Sequence, residues 1–175
     1  MARILVIYST TDGHTRRICD RLRRVIAHQG HQVALASIRD DPGPDPACFD
    51  KVVVGASIRY GRHSPLVVDF IRRNGEILGR KPGAFFSVNA VARKPGRDRP
   101  DTNPYMKNFL RQVAWRPGEL AVFAGRIDYP SYGVLDRMVI RLIMWITNGP
   151  TGRDAVVEFT DWAQVDAFGC AVARM

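Results

Sequence analysis

The chain has 175 residues, of which 46% are hydrophobic, and this composition indicates a globular protein rather than a disordered one. No apolar run reaches the roughly 18 residues that a membrane-spanning helix needs. The formal net charge is +9, and the excess of Lys and Arg lies in residues 59–116. Such a segment attracts nucleic acid, an anionic membrane or an acidic small molecule, although a merely soluble basic face explains it equally well. We expect one domain, residues 1–175.

The cysteine and histidine residues suggest a reducing compartment and no metal site. Cys19, Cys48 and Cys170 form no CxxC pair, and an odd number without a framework suggests free thiols in a cytoplasm. We expect Cys19, beside the apolar face of the first predicted helix, to be a small buried side chain. The four histidines form no metal-ligand pattern. The N-terminus leads directly into an apolar segment without the features of a signal peptide, so we expect a cytoplasmic protein.

The first predicted strand and helix flank a loop with the composition of an anion-binding site. Residues 4–7 are apolar and predict a buried parallel strand. One face of the following helix is marked by Ile18, Leu22, Val25 and Ile26. The first backbone N–H groups of a helix lack partners within it and favour an anion. The residues of this segment, which we call the phosphate loop, are Ser9, Thr10, Thr11, Asp12, Gly13, His14 and Thr15.

The phosphate loop favours a monophosphate that is held by neutral donors. It lacks the Lys of the GxxxxGK(S/T) loop, and it lacks the GxGxxG fingerprint of dinucleotide sites. An ordinary strand–turn–helix connection with Asp12 as the helix cap is the alternative at this stage.

This loop resembles the phosphate loop of flavodoxins, which holds the phosphate of FMN. Thr10, Gly13 and Thr15 fall on its pattern Ser/Thr-x-x-Gly-x-Thr. Asp12 departs from the pattern, because flavodoxins usually carry Thr there. A carboxylate would repel a phosphate, so we expect Asp12 to point away and to form a local hydrogen bond. FMN is the cofactor that this resemblance implies.

Four further strands are predicted along the chain. Gly30 ends the first helix, and the alternating residues 31–36 predict an edge strand. Residues 52–56 are a continuous apolar run, which is typical of a central parallel strand, and residues 84–88 and 120–124 predict the fourth and fifth strands. Strands that alternate with helices predict an α/β fold with a five-stranded parallel sheet in the order 2-1-3-4-5 and helices on both faces.

Three further helices are predicted to alternate with the strands. One begins at Pro65, a residue well suited to a first turn, and another begins at Pro104. The last helix is capped by Thr160 or Asp161. On the helix at Pro65 we expect an inward face of Leu66, Val67, Phe70 and Ile71.

Two other strand ends should meet the phosphate loop, because the carboxyl ends of parallel strands lie at one edge of a sheet. In the loop after the third strand, Tyr60 offers an aromatic face for a flavin ring and Arg59 a charge that stabilises a reduced flavin, although a surface aromatic in a Gly turn is the alternative. The candidate FMN-binding residues of these two loops are Ser57, Ile58, Arg59, Tyr60, Gly61, Ser87, Val88, Asn89 and Ala90.

An insert of residues 125–158 precedes the last helix and contains an apolar helix at residues 134–146. Its three charges, Asp136, Arg137 and Arg141, share one narrow face at helical spacing. The helix is too short to cross a bilayer. It can lie in a membrane interface or cover a hydrophobic ligand, and packing against the core or another subunit explains it equally well.

The combination of segments resembles the flavodoxin-like, quinone-dependent protoporphyrinogen oxidases of bacterial haem synthesis. The matching segments are residues 9–15, 55–61, 87–95 and 136–144, with 115–117 and 160–162, and Asp12 recurs in that family. The resemblance implies a flavodoxin-like fold, FMN, and a six-electron oxidation of protoporphyrinogen IX to protoporphyrin IX. It also implies electron transfer to menaquinone or ubiquinone, and a peripheral position on the inner face of the bacterial cytoplasmic membrane.

The irregular stretch 89–103 is long enough to indicate a functional loop, and it is basic. Under the resemblance we expect Arg93, Lys94 and Arg97 to bind the propionates of protoporphyrinogen. No residue stands out as an acid or a base. A flavodoxin-class electron carrier or quinone reductase with another substrate is the main alternative. A non-enzymatic domain that binds nucleic acid is another, and it predicts no flavin and a steep salt dependence of DNA binding.

Overall fold

The computed structural model describes the whole chain except residues 41–42, 132, 147–150 and 153–155 and the side chains of Ser131 and Ile143. Parts of the predicted insert therefore lie outside the described residues. The strands are β1 (Arg3–Ser9), β2 (Gln32–Ser37), β3 (Lys51–Arg59), β4 (Arg62–His63), β5 (Gly83–Asn89), β6 (Glu119–Ala124), β7 (Arg126–Asp128) and β8 (Val156–Glu158). The helices are α1 (His14–His28), α2 (Pro65–Arg73), α3 (Gly75–Gly79), α4 (Pro104–Gln112), α5 (Val134–Ile146) and α6 (Trp162–Arg174).

Five of these strands form the predicted parallel sheet. Their order is β2-β1-β3-β5-β6, which is the predicted 2-1-3-4-5 order of the parallel strands. Strand β2 lies at an edge, as its alternating sequence indicated, and β1 and β3 are central. The register places Val6 beside Val53 and Ser9 beside Ala56, so the ends of β1 and β3 lie side by side. A separate antiparallel pair, β7 with β8, belongs to the insert and was not predicted.

Helices cover both faces of the sheet. Successive side chains of each strand point to opposite faces, so each face has its own set of apolar residues. On one face Leu5, Val54 and Phe85 pack with residues of α2 and α4. On the other face Val6 and Phe86 pack with residues of α1 and α6. The prediction of helices on both faces is therefore confirmed. Cys19 belongs to the second face and is fully buried, as expected, and burial raises the pKa of its thiol.

The third strand is longer than its apolar run indicated. Residues Ser57 to Arg59 continue β3, and the chain then reverses at Tyr60 and Gly61 to form β4. Both turn residues have positive φ angles, 49° and 77°, as in the tight turns that join antiparallel strands. The prediction of a loop from Ser57 to Gly61 was wrong, because strand pairing with β4 extends the strand beyond its hydrophobic part.

Two predictions about the helices also need correction. Leu66 was expected to face inward, but it is 40% exposed because it lies in the first turn of α2, where the buried side begins at Val67. The cap of α6 is Asp161, whose carboxylate accepts hydrogen bonds from Ala163 N and Gln164 N. Thr160 instead points toward the phosphate loop. Among the described residues, no helix combines the length and the apolar character that crossing a membrane requires.

Candidate functional site

A cavity of about 380 Å³ lies where the phosphate loop, the β3–β4 turn and the end of β5 meet. Its volume is within the range of small-molecule sites. It lies at the carboxyl ends of the parallel strands, where open α/β sheets bind their ligands. The predicted residues that line it are Thr11, Asp12, His14, Thr15, Ser57, Ile58, Arg59, Tyr60, Gly61, Val88, Asn89, Ala90 and Arg93.

The other predicted site residues lie beside the cavity and do not line it. Thr10 accepts a hydrogen bond from Gly13 N through its hydroxyl oxygen at 3.0 Å and so shapes the phosphate loop from within. Ser9 and Ser87 are buried in β1 and β5. Lys94 and Arg97 follow Arg93 but lie outside the cavity lining, which was not apparent from their sequence spacing.

The phosphate loop has the backbone and side-chain features that a phosphate requires. Gly13 has a φ of +82°, a conformation that L-residues rarely adopt. Asp12 accepts a hydrogen bond from His14 N at 3.1 Å, which is the local bond we expected of it. The Thr15 hydroxyl oxygen and His14 Nδ1 are buried and have no hydrogen-bond partner among the described residues. Two unpartnered polar atoms at a helix N-terminus fit an anion such as the phosphate of FMN.

His14 is held from its other ring nitrogen. Its Nε2 lies 2.7 Å from the Thr160 hydroxyl oxygen, and that hydroxyl donates to the Ala124 carbonyl at 2.8 Å. The ring also meets the edge of Trp162, with centroids 6.2 Å apart. Burial lowers the pKa of the His14 imidazole, while Glu158 raises it to a lesser extent. The end of β6 and Thr160, two residues before α6, therefore fix the orientation of a side chain of the phosphate loop.

A polar network supports the opposite wall of the cavity. Asn89 accepts hydrogen bonds through Oδ1 from Ala92 N at 3.0 Å and from Asn103 Nδ2 at 3.2 Å. Its own Nδ2 donates to the Ser87 hydroxyl oxygen, which lies 2.9 Å from His63 Nε2. The buried network connects β4, the end of β5 and the residue that caps α4. Burial lowers the pKa of His63 from 6.5 to about 4, so its imidazole is neutral at pH 7.

Helix α5 forms a third wall that sequence reasoning did not assign to the site. Asp136 accepts hydrogen bonds from the Arg59 guanidinium and the Tyr60 hydroxyl, which joins α5 to the β3–β4 turn. The tip of that turn is nevertheless open, since Tyr60 is 62% exposed. The additional lining residues are Val91, Tyr105, Gly125, Arg126, Ile127, Val139, Ile140 and Met144.

Some of these residues could have been found from the sequence. Gly125 and Arg126 follow the fifth strand, and the carboxyl-end rule that selected the other loops applies there too. Tyr105 lies in the first turn of α4, a helix on which no site residue was predicted. Ile140 and Met144 carried no such signal, because an all-round apolar helix does not reveal which side faces a ligand.

The polar side of α5 faces the protein and its apolar side faces outward. Arg137 donates through Nε to the Tyr129 carbonyl at 3.1 Å, and Arg141 donates through Nε to the Thr151 carbonyl at 3.0 Å. Met144 on the same side is only 3% exposed. This arrangement is the reverse of a surface helix in a globular protein. The outward apolar residues are Val134, Leu135, Met138, Leu142, Trp145 and Ile146.

Three arginines give the cavity a basic rim. Arg93 donates to the Ala90 carbonyl at 2.7 Å and lies over the Phe159 ring, and burial lowers the pKa of its guanidinium. Arg59 is paired with Asp136, and Arg126 is paired with Asp128 at 2.7 Å. All three guanidinium groups present planar donors that suit carboxylates.

Neither a metal cluster nor a second site with these features is found in the described part of the chain. No group of three or more His, Cys, Asp or Glu side chains is placed to hold a metal ion there. A second cavity of about 680 Å³ lies between the segment after β2 and helix α2. None of the predicted site residues lines it.

Comparison with known proteins assigns the family. The flavodoxin domain profile matches residues 5–154. The protoporphyrinogen IX dehydrogenase (quinone) of Escherichia coli strain K12 is 39% identical over 173 residues, which cover 99% of this chain and 96% of that protein. This chain belongs to that family of flavodoxin-domain proteins. A family member from Leishmania major is 38% identical over 174 residues, which cover 99% of this chain and 75% of that protein.

Solved flavodoxins share the fold of this family member at low sequence identity. A flavodoxin from the domain Archaea superposes with a TM-score of 0.58 at 13% identity and covers 98% of this chain and 96% of its own. The flavodoxin of Megasphaera elsdenii gives a TM-score of 0.54 at 13% identity and covers 68% of this chain and 84% of its own. At this identity the likeness shows the flavodoxin-like fold alone.

Proposed function

We propose that this chain is a quinone-dependent protoporphyrinogen oxidase that holds FMN in the 380 Å³ cavity. It oxidises protoporphyrinogen IX to protoporphyrin IX in haem biosynthesis and passes the electrons to a membrane quinone. The observation that carries the proposal is the meeting of three different surfaces at one cavity. They are a phosphate loop with two buried polar atoms that have no partner among the described residues, a basic rim and an apolar helix.

The phosphate of FMN would be held by residues 9–15, and its ring system would lie between the β3–β4 turn and the end of β5. FMN, when bound, takes electrons from one partner and gives them to the other. The chain's own residues hold and orient the cofactor. Tyr60 offers an aromatic face, and Arg59 lies with its guanidinium 5.2 Å from the centre of the Tyr60 ring. Asp136 keeps this pair beside the cavity.

The basic rim suits the propionate groups of protoporphyrinogen. Arg93 lines the cavity, its guanidinium is partly desolvated, and such a group binds a carboxylate more strongly than an exposed one. Arg126 lies in the same wall. Lys94 and Arg97 lie further out and would attract the substrate at longer range. The macrocycle itself is apolar and would face Ile140 and Met144.

The outward side of α5 suits the lipid phase in which menaquinone and ubiquinone reside. Leu135, Met138, Leu142 and Trp145 recur at helical spacing and are all exposed, with Trp145 at 71%. An amphipathic helix of this kind can lie in the interface of a bilayer, and Trp favours the headgroup level. The opposite side of the same helix lines the cavity, so one helix separates the flavin from the membrane. We therefore place the protein peripherally on the inner face of the bacterial cytoplasmic membrane.

The proposal is tested by two anaerobic half-reactions of the purified protein. We expect flavin absorption bands, loss of those bands on addition of protoporphyrinogen IX, and their return on addition of a menaquinone analogue. A protein without flavin bands would contradict the cofactor assignment. A flavin that protoporphyrinogen does not reduce, but that a quinone reoxidises after chemical reduction, would indicate a carrier or a quinone reductase with another substrate.

A further inference from the structure

Two consecutive residues at the start of α1 bury polar atoms that have no partner among the described residues. His14 is 4% exposed and Thr15 is fully buried, yet His14 Nδ1 and the Thr15 hydroxyl oxygen form no hydrogen bond with any residue that the structure describes. Buried polar groups are nearly always paired, since an unpaired one costs about 1–3 kcal/mol. A hydroxyl can adapt to almost any ligand, because it both donates and accepts. The imidazole nitrogen is more restrictive and therefore more informative.

The hydrogen-bond chain on the other side of the ring fixes the tautomer. The Thr160 hydroxyl has one proton, and it gives that proton to the Ala124 carbonyl. The contact between His14 Nε2 and the Thr160 oxygen therefore needs the proton of Nε2. A neutral His14 consequently presents a bare lone pair at Nδ1. Only a protonated ring can donate from both nitrogens.

A lone pair at this position conflicts with an anion at the helix N-terminus. A phosphate dianion has only acceptor oxygens, so a neutral Nδ1 would face it with like polarity. A protonated Nδ1 would instead donate a charge-assisted hydrogen bond. Burial disfavours the charged ring in the structure, whereas a bound dianion would favour it. The other charged groups that act on His14 are Glu158 and Asp12, which favour its protonation, and Arg17 and Arg126, which oppose it.

We propose that His14 binds the phosphate of FMN as an imidazolium through Nδ1, so that one proton is taken up from solvent when the cofactor binds. The inference rests on the proposed FMN site and assigns a specific role within it. It also gives a role to the contact between His14 Nε2 and the Thr160 hydroxyl, because that contact leaves Nδ1 as the ring nitrogen available to the phosphate. A consequence is that FMN affinity falls as the pH rises, by up to tenfold per pH unit in the range between the pKa of His14 in the free protein and its pKa in the complex.

Proton uptake is measured by calorimetric titration of the full-length protein, freed of cofactor, with FMN at pH 8. The titration is repeated in two buffers, neither of them phosphate, that differ in ionisation enthalpy. We expect a difference in apparent enthalpy that corresponds to about one proton per FMN. Riboflavin, which lacks the phosphate, should bind without this difference. Binding of FMN without proton uptake would overturn the inference and leave the proposed function intact, whereas failure to bind FMN would overturn both.

The variant His14→Asn tests whether the imidazole, rather than another group, takes up the proton. Asn keeps a hydrogen-bond donor close to the position of Nδ1 but does not titrate. We expect it to bind FMN with a weaker pH dependence and without proton uptake. Unchanged uptake in this variant would place the proton on the phosphate or elsewhere and would overturn the inference. Nitrogen-15 NMR of the unmodified protein provides a second measurement, in which Nδ1 must change from unprotonated to protonated when FMN binds, and a ring that stays neutral contradicts the role.

Discussion

Gly13 holds the phosphate loop in a left-handed backbone conformation, with a φ of +82°. A Cβ atom built there would meet no other atom within 4 Å, so a side chain would strain the backbone without crowding the protein. We expect Gly13→Ala to lower the free energy of unfolding by about 1–2 kcal/mol, because Ala is strained in this conformation. We also expect it to weaken FMN binding by up to about tenfold. Gly75→Ala is the matched control, since Gly75 is equally unobstructed but lies in α3 without a positive φ. Equal FMN affinity of Gly13→Ala and the unmodified protein would contradict the assignment.

His63 makes the stability of the fold depend on pH. Burial lowers the pKa of its imidazole to about 4 in the folded chain, against about 6.5 when unfolded. Between these values the unfolded state binds more protons, so stability falls as the pH is lowered, by at most about 1.4 kcal/mol per pH unit. His63→Gln keeps a partner for Ser87 and removes the titration. Urea unfolding measures how much the free energy of unfolding decreases from pH 7 to pH 5. We expect this decrease to be about 2 kcal/mol smaller in the variant than in the unmodified protein. An equal decrease in both proteins would refute the prediction.

Substitution of Arg93 and of Arg97 distinguishes two roles of the basic loop, specific binding of the substrate propionates and a solvated basic surface. Arg93 lines the cavity, whereas Arg97 is exposed and donates to the Thr102 carbonyl at 3.2 Å. We expect Arg93→Gln to raise the KM for protoporphyrinogen about tenfold, because a desolvated charge-assisted hydrogen bond contributes roughly 1.5–3 kcal/mol. Arg97→Gln should have a much smaller effect. Steady-state kinetics at saturating quinone measure both effects. Equal effects of the two substitutions would indicate that the loop is a solvated basic surface without a specific substrate contact.

At the scale of single residues, the sequence identified side chains that carry their own chemical signal. The hydroxyl and Gly composition of the phosphate loop selected Thr15 and Gly13, and the local bond of Asp12 was foreseen from charge alone. The network of His63 and Asn103 was not foreseen. Its members are far apart in sequence and meet only after the sheet has formed, so no local pattern connects them.

At the scale of elements, the parallel strands and the main helices were predictable because each has a clear hydrophobic period. Strands β4, β7 and β8 were not, since two or three residues give no period. The orientation of α5 was also not predictable. Its narrow polar face was recognised from the sequence. Only the contacts of this face with the β3–β4 turn and with the carbonyls of Tyr129 and Thr151 show that it faces the protein.

The outward side of α5 yields a prediction about membrane binding. Replacing Leu142 and Trp145 with Ser removes two exposed apolar side chains without touching the cavity lining. We expect loss of binding to anionic phospholipid vesicles and slower turnover with a membrane quinone, at unchanged molecular mass. Leu66→Ser, on the exposed edge of α2, is the control for a general loss of apolar surface. A drop in mass with vesicle binding intact would instead identify α5 as an interface between subunits.

At the scale of the whole molecule, the net charge of +9 and the apolar side of α5 act together. Anionic lipid attracts Lys and Arg near its surface by about 1 kcal/mol each at most, and the apolar helix adds burial that salt does not screen. Vesicle binding should therefore weaken at high salt but persist in part. Binding to nucleic acid would instead disappear steeply as salt is raised.

The most direct test of the central claim is the stoichiometry of one complete anaerobic reaction. The flavin-loaded protein is mixed with protoporphyrinogen IX and an excess of menaquinone analogue, and both products are quantified. A six-electron oxidation with a two-electron acceptor predicts three quinols formed for each protoporphyrin IX. Protein that retains FMN yet forms neither product, or forms porphyrin without reducing the quinone, would contradict the claim.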